Sequence, residues 1–169
     1  MEKEESKRMI LSVLVDNTAG VLSRVAGLFS RRGYNIDSLT VGETEDPAYS
    51  RMTIAVTGAG QTLEQITKQL SKLEDVIKIV ELENDMSVCR ELILIKVVAG
   101  PEERVQLNTL ASIFRANIVD VSNEILMMEL TGNTSKLNAF IKLLDGFEIS
   151  ELVRTGITGL TRGCTSEDD

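Results

Sequence analysis

The sequence predicts an α+β protein made of two tandem ferredoxin-like βαββαβ units. Three observations carry that prediction. Strand-length apolar runs alternate with helix-period apolar spacing in the order βαββαβ, and the same order recurs in the second half. A weak echo joins the halves: Val25-Ala-Gly-Leu-Phe29, then Tyr34-Asn-Ile-Asp37, beside Leu110-Ala-Ser-Ile-Phe114, then Ala116-Asn-Ile-Val119.

The first half opens with the buried-strand run 9–15, closed by the turn-like Asp16-Asn-Thr-Ala-Gly20. Val21, Leu22, Val25, Leu28 and Phe29 recur at helical spacing, and Gly33 stops the helix after Arg31-Arg32. Residues 35–41 resume as a strand, whose alternation puts Ile36, Ser38 and Thr40 opposite Asp37, Leu39 and Val41. A polar loop with Pro47 leads to a strand over 51–57, which Gly58-Ala-Gly60 breaks. Leu63, Ile66, Gln69, Leu70 and Leu73 mark a second amphipathic helix, and 76–82 is the fourth strand.

The second half repeats the series. A strand covers 91–99, and Pro101 sits where a helix can begin. Val105, Leu107, Leu110, Ile113 and Phe114 supply a mostly apolar helix. Strands at 117–121 and 125–130, a helix at 135–144 and a strand at 147–154 follow. The polar stretch 83–90, with Asn84-Asp85, marks the boundary between units expected at 9–83 and 91–160. Residues 1–8 and 161–169 read as flexible tails. Each unit places two helices on one face of a four-stranded sheet, leaving the other face uncovered and the outer strands free to pair. Small units retain much exposed surface, so self-association is expected.

Composition excludes more than it assigns. Of 169 residues, none is His, which removes Ser-His and Cys-His nucleophile pairs, HExxH zinc sites and imidazole shuttles. Cys89 and Cys164 form no CxxC pair, so neither a zinc knuckle nor a disulfide framework is suggested. Eighteen Lys and Arg face 26 Asp and Glu, a formal charge of −8, of which Glu167, Asp168 and Asp169 carry three. With no Trp and no basic stripe, nucleic acid is disfavoured as a partner. No apolar run reaches membrane-span length, and the charged opening MEKEESKR leads directly to a strand without a signal-type apolar segment. A cytoplasmic protein with no membrane partner is the expectation.

One turn carries chemistry. Backbone N–H groups at the helix start after Gly20 lack intrahelical partners and sit in the positive end of the helix dipole. A carboxylate fits there, glycine removes the Cβ that would obstruct it, and the Asn17 amide both donates and accepts. The simpler reading is a helix capped by Asp16 or Thr18, with Gly20 relieving the turn.

The stretch Ile10-Leu-Ser-Val-Leu-Val-Asp-Asn-Thr-Ala-Gly-Val-Leu-Ser-Arg-Val25, with Gly27-Leu-Phe-Ser-Arg-Arg-Gly-Tyr-Asn-Ile-Asp-Ser-Leu-Thr-Val41, resembles an ACT domain. More narrowly, it resembles the small regulatory subunits of acetohydroxyacid (acetolactate) synthase. Asp46-Pro-Ala-Tyr-Ser-Arg-Met-Thr-Ile54, Glu64-Gln-Ile-Thr-Lys-Gln-Leu-Ser-Lys-Leu73, Arg90-Glu-Leu-Ile-Leu-Ile-Lys96 and Arg154-Thr-Gly-Ile-Thr-Gly-Leu-Thr-Arg-Gly163 match in order. The resemblance implies a non-catalytic subunit that binds valine or another branched-chain amino acid. It also implies a catalytic partner subunit holding thiamine diphosphate, Mg and FAD, which this chain activates and makes sensitive to feedback. No cofactor or metal is implied in this chain. Carried onto matching positions, the ligand site is Asn17 and Gly20, the backbone of Ala19, Val21 and Leu22, and Asn35 with Ile36.

Topology adds a condition. In a 4-1-3-2 sheet, Gly20 and Asn35 lie at opposite ends, so they share a ligand only across a homodimer that pairs second strands antiparallel. Several residues have plainer explanations. Ile36 is read as a limit on ligand size or as core, Met127, Met128 and Phe140 as packing residues, and Cys89 as an inert thiol. Arg31-Arg32 suit a helix C-terminus. The second half has Ala99-Gly-Pro-Glu-Glu103 in place of Asn-x-x-Gly, which disfavours an equivalent site and leaves that half for docking the catalytic subunit. A stand-alone ACT-type amino-acid sensor or transcriptional regulator is the alternative. A small enzyme is a third reading, without a convergent nucleophile, base and oxyanion set behind it.

Overall fold

The computed structural model describes residues 6–163, in two compact units. The first comprises residues 6–89 and takes back 157–163; the second is Arg90–Gly156. The chain therefore leaves the first unit and returns to it, whereas the sequence reading ran the second unit through residue 160.

In the first unit the elements are β1 (Lys7–Asp16), α1 (Val21–Arg31), β2 (Ile36–Glu43), β3 (Tyr49–Gly58), α2 (Gly60–Leu70) and β4 (Val76–Glu81). The sheet order is β2-β3-β1-β4, with antiparallel neighbours throughout. Leu11, Val13 and Val15 of β1 and Met52, Ile54 and Val56 of β3 alternate onto one face, where Val25, Phe29, Ile66 and Leu70 of the helices close the core.

Strand β2 departs from simple alternation. Its register on β3 shifts between Ile36 and Ser38, so Asp37 is a bulge. Ile36 and Leu39 consequently share the helix-side face and pack on the core, while Ser38 and Thr40 face the other way. Strict alternation had put Ile36 with Ser38; the extra residue reverses it.

The face away from the helices is not bare, contrary to expectation. Ser12, Thr53 and Ala55 are buried there, and residues 157–162 lie against it. The Ile157 N–H donates to Ser38 Oγ at 2.7 Å, and Thr40 Oγ1 donates to the Ile157 carbonyl at 3.1 Å. The segment continues as β9 (Thr158–Thr161), pairing with β5 (Ser87–Val98), and the Arg162 N–H donates to Met86 O at 2.8 Å. The expected boundary stretch 83–90 thus already contains the start of a strand. Of the expected tails, Lys7 and Arg8 belong to β1 and Thr161 to β9; residues 1–5 and 164–169, with Cys164, lie outside the described residues.

The second unit contains the rest of β5, then α3 (Pro101–Phe114), β6 (Asn117–Val121), β7 (Ile125–Gly132), α4 (Thr134–Leu143) and β8 (Glu148–Arg154), in the order β6-β7-β5-β8. Its core gathers Ile93, Ile95, Val97, Leu107, Met128, Leu137 and Phe140, with the Phe114 and Phe140 rings 5.2 Å apart. The apolar appearance of α3 was misleading: Val105 and Ile113 are exposed, and only Leu107 and Ala111 are fully buried. The buried Glu91 carboxylate holds Arg154 through two bonds of 2.8 and 2.9 Å, and Arg154 reaches Asn138 of α4 at 3.1 Å. That carboxylate raises the Arg154 pKa, and the cluster ties β5, β8 and α4.

Two stability measurements check this description. A Cβ at Gly159 would lie 2.7 Å from Cys89 Sγ, 2.9 Å from Leu82 Cδ1 and 3.1 Å from Val88 O. Gly159→Ala is expected to cost about 1–3 kcal/mol in urea unfolding. Glu91→Ala strands Arg154 and is expected to cost about 3 kcal/mol, the low end for a broken buried pair because Arg154 can rehydrate. Wild-type midpoints for either variant would refute the packing or the pairing described.

Candidate functional site

Gly20 is the N-cap of α1; its φ of 86° is left-handed, and its lack of a side chain makes that turn inexpensive. No side chain caps the helix, and its first turn holds no acidic residue. Asp16 and Thr18 therefore do not play the capping role that was the simpler sequence reading. The result is an open helix start with its positive dipole end unneutralised by a side chain.

Arg24 lies one turn along and folds back over Gly20, where a Cβ would stand 3.0 Å from Nη1. Its Nε and Nη2 donate to Asp75 at 2.6 and 2.9 Å. Asp75, in the turn between α2 and β4, also accepts the Asp16 N–H through its backbone carbonyl at 2.9 Å. The hydrogen bond from Arg24 holds the Asp75 carboxyl below its ordinary value of 3.8. This pair ties the helix start to the end of β1, and it places Arg24 Nη1, the nitrogen not bonded to Asp75, at the turn. Sequence reading did not single out Arg24 or Asp75. Arg24 sits one helical turn after Gly20, a usable signal; nothing local marks Asp75.

Asn17 is engaged on the other side of the turn. Its Nδ2 donates to Glu43 Oε1 at 3.1 Å and to Pro47 O at 2.9 Å, and its Oδ1 accepts from Ser50 Oγ at 3.0 Å. The amide thus latches the β2–β3 loop while remaining exposed. The Arg24–Asp75 ion pair at Gly20 and the Glu43 carboxylate at Asn17 border the turn on its two sides. Ala19 and Leu22 are exposed beside it, whereas Val21 faces the core.

Asn35 is elsewhere. It is exposed just before β2 and donates to the bulged Asp37 at 3.2 Å, while Thr57 Oγ1 donates to the other Asp37 oxygen at 2.6 Å. The registers place Asp16 opposite Tyr49 and Ile36 opposite Val56, which are separated along β3 by about 23 Å at roughly 3.3 Å per residue. One chain does not bring Asn17 and Gly20 together with Asn35 and Ile36. A groove of about 540 Å³ lies between α1 and α2, lined by Leu28, Arg31, Arg32, Gln69, Lys72 and Leu73, and it shares no residue with either cluster.

At the start of α3, Gly100 precedes Pro101, and Glu103 Oε2 accepts the Gly100 N–H at 2.7 Å. A carboxylate of the chain itself occupies that helix start. Among the described residues, no group of three or more His, Cys, Asp or Glu could hold a metal ion, and no helix is long and apolar enough to cross a membrane.

The Arg24–Asp75 pair has a pH signature. Asp75 titrates below its unfolded value, so whatever order the pair gives the turn is present above about 3.8 and lost as pH falls through the lower folded-state value. Carboxyl titration by NMR should find an Asp75 midpoint below 3.8, moving up in Arg24→Ala; an unmoved midpoint would remove the pair from the description.

Comparisons with known proteins cover most of the chain. Residues 11–78 match the model of the AHAS small subunit-like ACT domain, and residues 90–163 match that of the small subunit of acetolactate synthase. The chain is 54% identical over 157 residues to the acetolactate synthase small subunit of Mycobacterium bovis, covering 93% of this chain and 94% of that one. It is 48% identical over 157 residues to the acetolactate synthase isozyme 3 small subunit of Salmonella typhimurium, covering 92% and 96%. The crystal structure of the acetolactate synthase small subunit from Thermotoga maritima superposes with a TM-score of 0.86 at 44% identity, covering 92% of this chain and 98% of that one.

Proposed function

Because the chain belongs to the family of acetolactate synthase small subunits, as a regulatory ACT-domain subunit, we propose that it senses valine or another branched-chain amino acid. It passes that signal to a catalytic acetolactate synthase subunit. The observation that carries this reading is the open helix start at Gly20, uncapped by any side chain and bordered by Arg24. The ligand carboxylate is received by the backbone at Val21 and Leu22, beside Ala19. Its ammonium group faces the Asn17 and Glu43 side, and its apolar side chain meets Ile36.

The site is completed by a second copy. Strand β2 is an edge of its sheet, available for pairing. Antiparallel pairing of two β2 strands centred near Leu39 carries the partner copy's Asn35 and Ile36 toward Glu43, at the Gly20 end. The about 23 Å separation within one chain then becomes proximity between chains, with two equivalent sites per dimer. Docking of the catalytic subunit is assigned to the second unit, whose outer strands expose Val119, Val121 and Val153. Thiamine diphosphate, Mg and FAD belong to that cytoplasmic partner, which does the chemistry. This chain raises its activity and confers feedback inhibition, which requires the amino acid to bind two arrangements of the assembly unequally.

Calorimetric titration of the full chain with valine, leucine and isoleucine tests the site. Saturable binding by wild type is expected. Asn17→Ala, Gly20→Asp and Asn35→Ala should each weaken it by about tenfold or more, the equivalent of one charge-assisted hydrogen bond. Unchanged affinity in all three would place the site elsewhere, and no binding by wild type would end the sensing role.

A further inference from the structure

The return of residues 157–162 to the first unit creates a short mechanical link that the amino-acid site does not itself explain. Within the second unit, Thr155 is fixed to β5: its N–H donates to Leu92 O at 3.0 Å, and its Oγ1 accepts the Leu92 N–H at 3.1 Å. Within the first unit, Ile157 is fixed to β2 through both its peptide groups, by Ser38 Oγ at 2.7 Å and Thr40 Oγ1 at 3.1 Å. The Ile157 side chain is buried as well. Only Gly156, at a left-handed φ of 85°, separates the two anchors. Past Ile157 the segment is held again, by pairing of β9 with β5 and by the appression of Gly159 on Leu82 and Cys89.

The position of the first anchor is informative. Ser38 and Thr40 follow the Asp37 bulge on the same edge strand that begins with Ile36, directly after Asn35. The bulge turns the two hydroxyls away from the core face that Ile36 occupies. One side of the strand thus serves the core and the proposed ligand, and the other side grips the returning chain. A displacement of β2 therefore pulls on the Ile157 peptide, and a single residue passes that pull to Thr155 and the second unit.

We infer that Ser38 and Thr40 are positioning residues of feedback, and that the Ile157 peptide they clamp is the link by which amino-acid occupancy at β2 reaches the unit Arg90–Gly156. This rests on the amino-acid-sensing reading above. The element with two arrangements is the edge strand β2, whose equilibrium the ligand biases; the clamp and the one-residue hinge make the second unit follow. Strand β5 also passes from one unit to the other, but no pairing ties it to β2, so the clamp at Ile157 is the connection that starts from β2.

The test uses the full chain assembled with a catalytic subunit of an acetolactate synthase, and three readouts: valine affinity by calorimetry, activation of acetolactate formation, and inhibition of it by valine. The double variant Ser38→Ala/Thr40→Val removes the clamp. A second variant, with two glycines inserted between Gly156 and Ile157, keeps both anchors and adds slack, so the idea stays testable if the first fails to fold. The slack variant is expected to bind valine as wild type does and to activate, yet to need at least about tenfold more valine for half-inhibition, or to lose inhibition altogether; the double variant, on the strand whose pairing completes the site, is expected to lose inhibition beyond any loss of valine affinity. Wild-type inhibition in the slack variant would overturn the link. Inhibition falling only in step with lost valine binding would likewise overturn it, by reducing the hydroxyls to supports of the site. Failure of wild type to bind valine would appear before any variant is made, and would sink the sensing reading and this one together.

Discussion

Two helices can cover only one face of a four-stranded sheet, and most of the architecture follows from how the second face is treated. In the first unit the middle of that face carries small or hydroxylated residues, Ser12, Thr53, Ala55, Ser38 and Thr40, with the larger Ile10, Leu14 and Arg51 on the same side. Small residues let a peptide segment approach closely, and the hydroxyls offer it hydrogen bonds. The returning residues 157–162 use the face in that way, with Ile157 supplying the apolar plug.

Sheet topology then sets the limits on function. The order β2-β3-β1-β4 places the open helix start at one end of the sheet and Asn35 at the other, and it leaves β2 as an edge. A residue set that looks like a site when read along the chain is therefore divided in space. The two ends are also built differently. At the Gly20 end, Arg24 and Asp75 lock the turn to the end of β1, and Asn17 latches the loop after β2. At the Asn35 end, the bulged Asp37 carboxylate organises Asn35 and Thr57.

Much of this was legible in the residues. The βαββαβ order, its repetition, the role of Pro101 and the separation of Gly20 from Asn35 all follow from apolar periodicity and turn chemistry. Other features were not, for identifiable reasons. Alternation failed at Asp37 because a bulge adds a residue without leaving a compositional mark. The helical spacing of α3 misled because Val105 and Ile113 are apolar at positions that face outward. The bonds of Asn17 to Glu43, Pro47 and Ser50 were hidden because those partners lie 26 to 33 residues away. The strand at 158–161 went unread, its first three residues left as the end of the second unit, since four residues containing a glycine carry no periodic signal.

The sequence by itself determined the α+β class, the two tandem units, the first core and the glycine turn, because each depends on the local period of apolar residues or on backbone freedom at one position. Tertiary structure alone decided that residues 157–162 belong with the first unit, that Arg24 and Asp75 guard the turn, and that Ser38 and Thr40 hold a peptide. Those are pairings across 51 to 119 residues. No local period encodes such partners, and only closing the chain on itself brings them together.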